Sequence, residues 1–257
     1  MSKIDLSKLV LNRKDDFIFN LLNIENFNTN KSAYQKWYKH LIQYGKKIEG
    51  DIFEFGTYQG KSLIAIAILC KKLKINKTIY GFDSFRGFPK YHKFDNLNYF
   101  NKKYFNKKLI DDHKINLEIR KFLLNKNRIN EKNISTSGSF KASKKELIRK
   151  INLLKLDNIK LIEGDFKKTV PEFFLNYNNK IFSANVDCDL YEGYCIALEH
   201  IIKRLAKKGF IHLDEYYSLK FPGAKIATDT VLKKNKIKLR FYKRNSHEFK
   251  RYYLLNE

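Results

Sequence analysis

From Asp51 onward, short apolar runs alternate with longer segments whose apolar residues recur every third or fourth position. "DIFEF", "TIYGF", "IKLIEG", "KIFSANVD" and "GFIHLD" are brief and rich in Ile and Phe, and they read as strands. Between them, "GKSLIAIAILCKKLK", "SKKELIRKINLLK" and "GYCIALEHIIKRLAKK" carry helical periodicity. Strands separated mostly by helices predict a mostly parallel sheet with helices on both faces. The tail, "IKLRFYKRNSHEFKRYYLLNE", reads instead as two strands joined by the polar turn "KRNSHE", an antiparallel finish to the sheet. Residues 14–47 hold two helical patterns. In the second, "SAYQKWYKHLIQYGKK", Trp37, Leu41 and Tyr44 share one face.

Residues 93–133 break the alternation with a Lys/Asn-rich stretch carrying interspersed aromatics. Phe100, Tyr104, Phe105 and Leu109 recur at helical spacing, which predicts a basic helical insertion or lid over the carboxyl edge of the sheet. Basic residues interleaved with Tyr and Phe also suit single-stranded nucleic acid. No linker sets this stretch apart. The expectation is one domain over 1–257, with a helical segment at 1–47 and the insertion at 93–133.

At 43% hydrophobic and 15% aromatic, the 257-residue chain can bury a sizeable core, which excludes disorder of the whole chain. Its most apolar run, "SLIAIAILC", is too short to span a bilayer, and "MSKIDLSKLVLNRKDD" lacks a secretory pattern. Cys70, Cys188 and Cys195 show no CxxC spacing and cannot all pair, which fits a reducing compartment. A cytoplasmic protein with no membrane insertion is expected. The 52 Lys and Arg against 27 Asp and Glu give a net charge of +25, which suggests a nucleic acid, an anionic surface or a phosphorylated substrate. Lysine spread over every segment, alongside abundant Asn and Ile, is mostly a solvated surface. What remains suits a phosphate-bearing small molecule.

The first strand runs into "EFGTYQGKS", an acid followed by two glycines and a helix. Glycine lets backbone approach a ligand closely, and a helix amino terminus is electropositive. The cofactor-binding candidates in this turn are Glu54, Gly56, Thr57, Tyr58, Gly60 and Ser62. The second strand ends in "YGFDSFRG", where Asp83 and Ser84 stand where such folds hold ribose hydroxyls; a loop acid or helix cap is the other reading of Asp83. The third ends in "IEGDF". There Gly164, Asp165 and Phe166 either receive an adenine or form a simple turn with a core Phe. A glycine turn with acids ending the next strands describes a site for an adenosine without phosphates. That points to S-adenosylmethionine rather than a dinucleotide.

The fourth strand leaves the core into "NVDCDLYEGY", and the fifth ends in "HLDEYY". In the usual order these strands are neighbours about 5 Å apart, so Asp187, Asp214 and Glu215 converge, with Asp187 also beside the cofactor. Carboxylates gathered together repel and favour a shared cation. Hard oxygen ligands with open positions fit Mg²⁺ or another divalent cation. Such a cation would lower the pKa of a substrate hydroxyl while a neighbouring carboxylate takes the proton. Asp189 is the candidate for that base, or else a cap of the following helix, and His212 reads as a satisfied core histidine.

"GDIFEFGTYQGKSL", "GFDSFRGFP", "GSFKASKKELIRKI", "IKLIEGDFKKTVPEF", "NVDCDLYEGYCIALEHIIKRLAKKGFIHLDEY" and "PGAKIATDTV" follow in the order found in the macrocin O-methyltransferase family, which the chain resembles over roughly residues 45–235. The resemblance implies an α/β class I methyltransferase (Rossmann-like) sheet, mostly parallel, with an antiparallel C-terminal strand. It implies S-adenosylmethionine as donor, a metal triad on Asp187, Asp214 and Glu215, a base at Asp189, and a sugar hydroxyl as acceptor. Glu215 departs from the commoner Asp, and the 93–133 insertion is peculiar to this chain. The expected activity is therefore O-methylation of a sugar or nucleotide-linked sugar for surface polysaccharide synthesis, without nucleic acid as partner and with homo-oligomerisation open. A catechol-type small-molecule O-methyltransferase and a nucleic-acid methyltransferase or RNA-binding protein are the alternatives.

Overall fold

The computed structural model describes residues 16–27, 32–96, 140–216, 221–235, 237–243 and 250–257, with helical positions 107, 108, 110, 111, 114, 115 and 118. Helices α1 (Asp16–Leu21) and α2 (Gln35–Tyr44) precede strand β1 (Asp51–Phe55). Then follow α3 (Lys61–Leu73), β2 (Ile79–Asp83), a 3₁₀ turn (Lys93–Asp95), α4 (Lys144–Leu153) and β3 (Ile159–Glu163). The second half continues with α5 (Phe166–Asn176), β4 (Ile181–Val186), α6 (Tyr191–Ile202), β5 (Leu205–Leu213) and α7 (Pro222–Lys234). Strands β6 (Lys238–Tyr242) and β7 (Arg251–Leu255) close the described chain. Much of the 93–133 insertion, including Phe100, Tyr104, Phe105 and Leu109, lies outside the described residues, as do residues 1–15 of the amino-terminal segment and all but Lys243 of the expected "KRNSHE" turn.

The strands form one seven-stranded sheet in the order β3-β2-β1-β4-β5-β7-β6. β1 to β5 are parallel, and β7 is antiparallel to both β5 and β6. Successive strand residues face opposite sides, and the core divides accordingly. Ile52 of β1 joins Trp37, Ile64 and Phe182 under α2 and α3. Phe53 and Phe55 join Phe174, Val186 and Leu198 under α5 and α6. Every residue of α3 from Ser62 to Cys70 is buried, as expected of a helix that is apolar all round and covered on both sides. Trp37 and Leu41 are fully buried on one face of α2 with Tyr44 partly covered, and the Trp37 indole N–H donates to Ser183 Oγ at 2.9 Å.

Three elements differ from the sequence reading. The structure makes a helix, α5, where the pattern shows only a motif. Pro171 sits inside it, lacking the N–H that would continue the ladder, while Asp165 caps its start by accepting from Lys167 N at 2.9 Å. α7 likewise begins on a proline, Pro222, which is well suited to a first helical turn. The helical pattern expected to run to Lys208 stops at Ile202. Leu205 pairs beside Ile181 as strand, and a register shift, with Lys208 at φ 61°, realigns Phe210 with Ser183.

Candidate active site

The chain steps outward from β1 to β2 and β3, then returns to β4 on the other side of β1. Ligands of such sheets bind in the crevice at the carboxyl ends of the strands where the order reverses, here between Gly56 and Asp187. Gly56 has φ 91° and donates its N–H to Phe82 O at 2.9 Å. A β-carbon there would collide with the Asp187 carbonyl. Gly60 (φ 77°) opens α3 with Leu147 against it.

Asp83 ties the turn to the loop after β2. Its Oδ2 accepts from Tyr58 N and its Oδ1 from Phe85 N, both at 2.7 Å. Each oxygen retains acceptor capacity for a ligand hydroxyl. Ser84 closes the same loop, donating to Gly87 O at 2.8 Å. Gly164 donates its N–H to Asp83 O at 3.0 Å. Asp165 is exposed as the cap of α5, and Phe166 stands edge-on to Phe55 at 5.8 Å.

Glu54 is fully buried beneath the turn. Its Oε1 accepts from Ser62 Oγ and, at 3.1 Å, from Asn185 Nδ2. Burial pushes its carboxyl up to about 8; the Ser62 hydrogen bond opposes this and Asp187 adds to it. Among the described residues, Glu54 Oε2 and Thr57 Oγ1 are buried without hydrogen-bond partners. A buried polar atom left unpaired is costly, and two of them under an electropositive helix start fit the amino and carboxylate groups of S-adenosylmethionine. Ser62 faces Glu54 beneath the turn, an orientation that sequence alone does not show.

Asp187, Asp214 and Glu215 present carboxylate oxygens within 4.8 Å of one another at the ends of β4 and β5. Burial and then Asp214 push Asp187 up to about 7, and burial followed by Asp187 and Asp214 raises Glu215 strongly. Burial acts upward on Asp214 too, but His212, whose Nε2 lies 3.5 Å from Asp214 Oδ1, together with Glu215 and Arg251 holds that carboxyl below its usual range. A cluster of hard oxygens that cannot all ionise comfortably is relieved by a divalent cation, so the residues fit Mg²⁺. Asp189 sits two residues beyond Asp187 with φ 61°, a left-handed conformation that Asp tolerates better than most and that recurs at functional sites. The N-cap position of α6 itself is Leu190.

Several groups at this site escape sequence reasoning. Tyr34 donates to Asp187 Oδ2 at 2.8 Å, and the Tyr194 hydroxyl lies 2.6 Å from Glu215 Oε2 while accepting from Glu215 N at 3.0 Å. Asp95, buried, accepts from Tyr191 N at 2.7 Å and from His92 N at 2.9 Å, tying the 3₁₀ turn to the start of α6. His212 is buried with its Nε2 facing Asp214 Oδ1 at 3.5 Å, so it belongs to the cluster's surroundings as well as to the core. All depend on tertiary contacts. Only Asp95, in an acid-poor aromatic stretch, carries a faint signal of its own.

No curated protein is similar enough in sequence to count as a match. Among solved structures, the O-methyltransferase NovP is 19% identical, with a TM-score of 0.59 over 93% of this chain and 80% of that one. CalS11, a calicheamicin methyltransferase, is 23% identical, with a TM-score of 0.63 over 99% of this chain and 86% of that one. Its apo form, described as a TDP-rhamnose 3'-O-methyltransferase, aligns at 23% identity and TM-score 0.54 over 97% and 91% of the two chains. At such identities the likeness shows a shared α/β class I methyltransferase fold. The family described as "Methyltransferase domain" matches residues 53–216, from β1 through the carboxylate cluster. The chain belongs to that methyltransferase-domain family, whose members take the methyl group from S-adenosylmethionine.

Proposed function

We propose that the protein is a divalent-cation-dependent O-methyltransferase acting on a sugar hydroxyl, with a nucleotide-linked sugar for surface polysaccharide synthesis as acceptor. The observation that carries this reading is the convergence of Asp187, Asp214 and Glu215 within 4.8 Å, against the glycine turn. The macrocin-type resemblance supports it, as does the description of CalS11 as a TDP-rhamnose 3'-O-methyltransferase. The net charge of +25 suits the phosphates of such an acceptor. Residues 1–47 and 93–133 are accessories of this one domain. The free cysteines suit a cytoplasmic setting, and no helix among the described residues is long and apolar enough to cross a membrane.

In this reading Glu54, Gly56, Thr57, Tyr58, Gly60 and Ser62 form the floor for the donor's amino-acid end. Asp83 and Ser84 face the ribose, and Gly164, Asp165 and Phe166 border the adenine. Asp187, Asp214 and Glu215 would hold Mg²⁺, which supplies positive charge that lowers the pKa of an acceptor hydroxyl. S-adenosylmethionine would supply the methyl group, and Asp189 would receive the proton of the acceptor hydroxyl. Positioning of the acceptor against the donor by these residues would supply much of the rate.

The test is mass spectrometry of S-adenosylmethionine reactions with nucleoside-diphosphate sugars, the matching free sugars and catechols, each with and without EDTA. Gain of one methyl group on a nucleotide sugar, abolished by EDTA, is expected. Undiminished turnover in EDTA rejects the cation, methylation of catechols alone rejects the sugar, and equal turnover of free and nucleotide-linked sugar rejects the phosphate preference.

A further inference from the structure

We infer that Tyr34 is a positioning residue of the carboxylate cluster, holding Asp187 in one orientation so that Asp187, Asp214 and Glu215 together take a divalent cation. This rests on the cation reading given above. The Tyr34 hydroxyl donates to Asp187 Oδ2 at 2.8 Å across 153 residues of chain. Its ring meets His212 edge-on at 5.2 Å, and His212 Nε2 lies 3.5 Å from Asp214 Oδ1. One side chain from outside the sheet therefore touches Asp187 directly and Asp214 through its neighbour. The amino-terminal turn that carries Tyr34 is itself fixed. Ser32 Oγ accepts from Tyr34 N at 3.1 Å, and Tyr242 of β6 donates to Ala33 O at 2.7 Å. Trp37, one turn along α2, anchors to Ser183 of β4.

A ligating carboxylate is oriented by the hydrogen bond on its other oxygen, and loss of such a partner typically weakens metal affinity about 10- to 100-fold. Tyr34→Phe removes that hydrogen bond and keeps the ring on His212. The variant's expected signature is a loss of cation affinity without a loss of fold.

Wild type and Tyr34→Phe, as full chains without donor or acceptor, are titrated with Mn²⁺ while free Mn²⁺ is followed by EPR. Tyr34→Phe is expected to bind about 10-fold more weakly, with a metal-free melting temperature and an S-adenosylmethionine affinity like wild type. A purely structural tyrosine would lower the melting temperature and leave the isotherm in place, which overturns the inference, as do superimposed isotherms. If wild type itself takes up no Mn²⁺, the cation reading fails and the inference with it. Should Tyr34→Phe not fold, Tyr242→Phe decides. It loosens the turn without touching the cluster, and an isotherm equal to wild type overturns the inference.

Discussion

The Asp187 carbonyl fills the space where Gly56 would carry a side chain, so the cofactor turn and the carboxylate cluster meet backbone to backbone. At φ 91°, Gly56 also holds a conformation that L side chains avoid. Gly56→Ala is expected to cost roughly 3 kcal/mol of stability through overpacking and strain, and to weaken cofactor and cation binding together. Urea unfolding and binding isotherms check both; a stable variant that loses neither ligand contradicts the contact.

The proposed function gives Asp187 and Asp189 different tasks, which substitution should separate. Asp187→Asn is expected to abolish Mn²⁺ binding and activity together. Asp189→Asn keeps Mn²⁺ binding while kcat falls by about 10²- to 10⁴-fold, the usual worth of a general base. Equal loss of cation affinity in both variants is the contrary outcome, readable from the same EPR titration.

Glu54 makes the stability of the ligand-free protein depend on pH. Folded, its carboxyl holds a proton up to about 8, against an ordinary value of 4.5. Between those values the folded state binds more protons than the unfolded chain, so this contribution is full below about pH 4.5 and is lost as pH rises toward 8. Glu54→Gln mimics the protonated form. It should flatten that decline by a few kcal/mol at most, seen in urea melts at pH 5 through 8. Parallel pH profiles for the two proteins contradict the assignment.

Asp95 clasps the start of α6 from the 3₁₀ turn after β2, with Gly223 of α7 so close that a β-carbon there would strike its carboxylate. Asp95→Ala leaves the Tyr191 N–H without its acceptor and should cost about 1–2 kcal/mol. Thermal unfolding reports this. A melting point equal to wild type would show that water replaces the clasp at no cost.

The alternation of β1 to β5 with helices is legible because each strand is a short apolar run bounded by glycine or acid, and the acids at 187, 214 and 215 stand out because they end such runs. What escapes is of two kinds. Pro171 and Pro222 mask α5 and α7, since proline argues against a helix unless its place within the turn is known. Leu205 and Ala206 continue a helical spacing, yet pairing beside Ile181 wins, because tertiary burial outweighs local propensity. The supporting groups are hidden more deeply. Nothing around Tyr34 marks it as a neighbour of Asp187, and Asn185 and Ser62 look like ordinary polar residues until the sheet brings them onto Glu54.

The sheet order makes the strand that carries Asp214 and Glu215 depend, on its outer edge, on residues far along the chain. β5, which carries Asp214 and Glu215 at its end, gains its second neighbour from Arg251–Leu255, and Asn256 Nδ2 caps the Leu205 carbonyl at 2.9 Å. During synthesis on the ribosome, that edge of β5 stays open until the chain has been made through these residues. An unpaired strand edge of that kind is a template for other strands, so the interval calls for shielding.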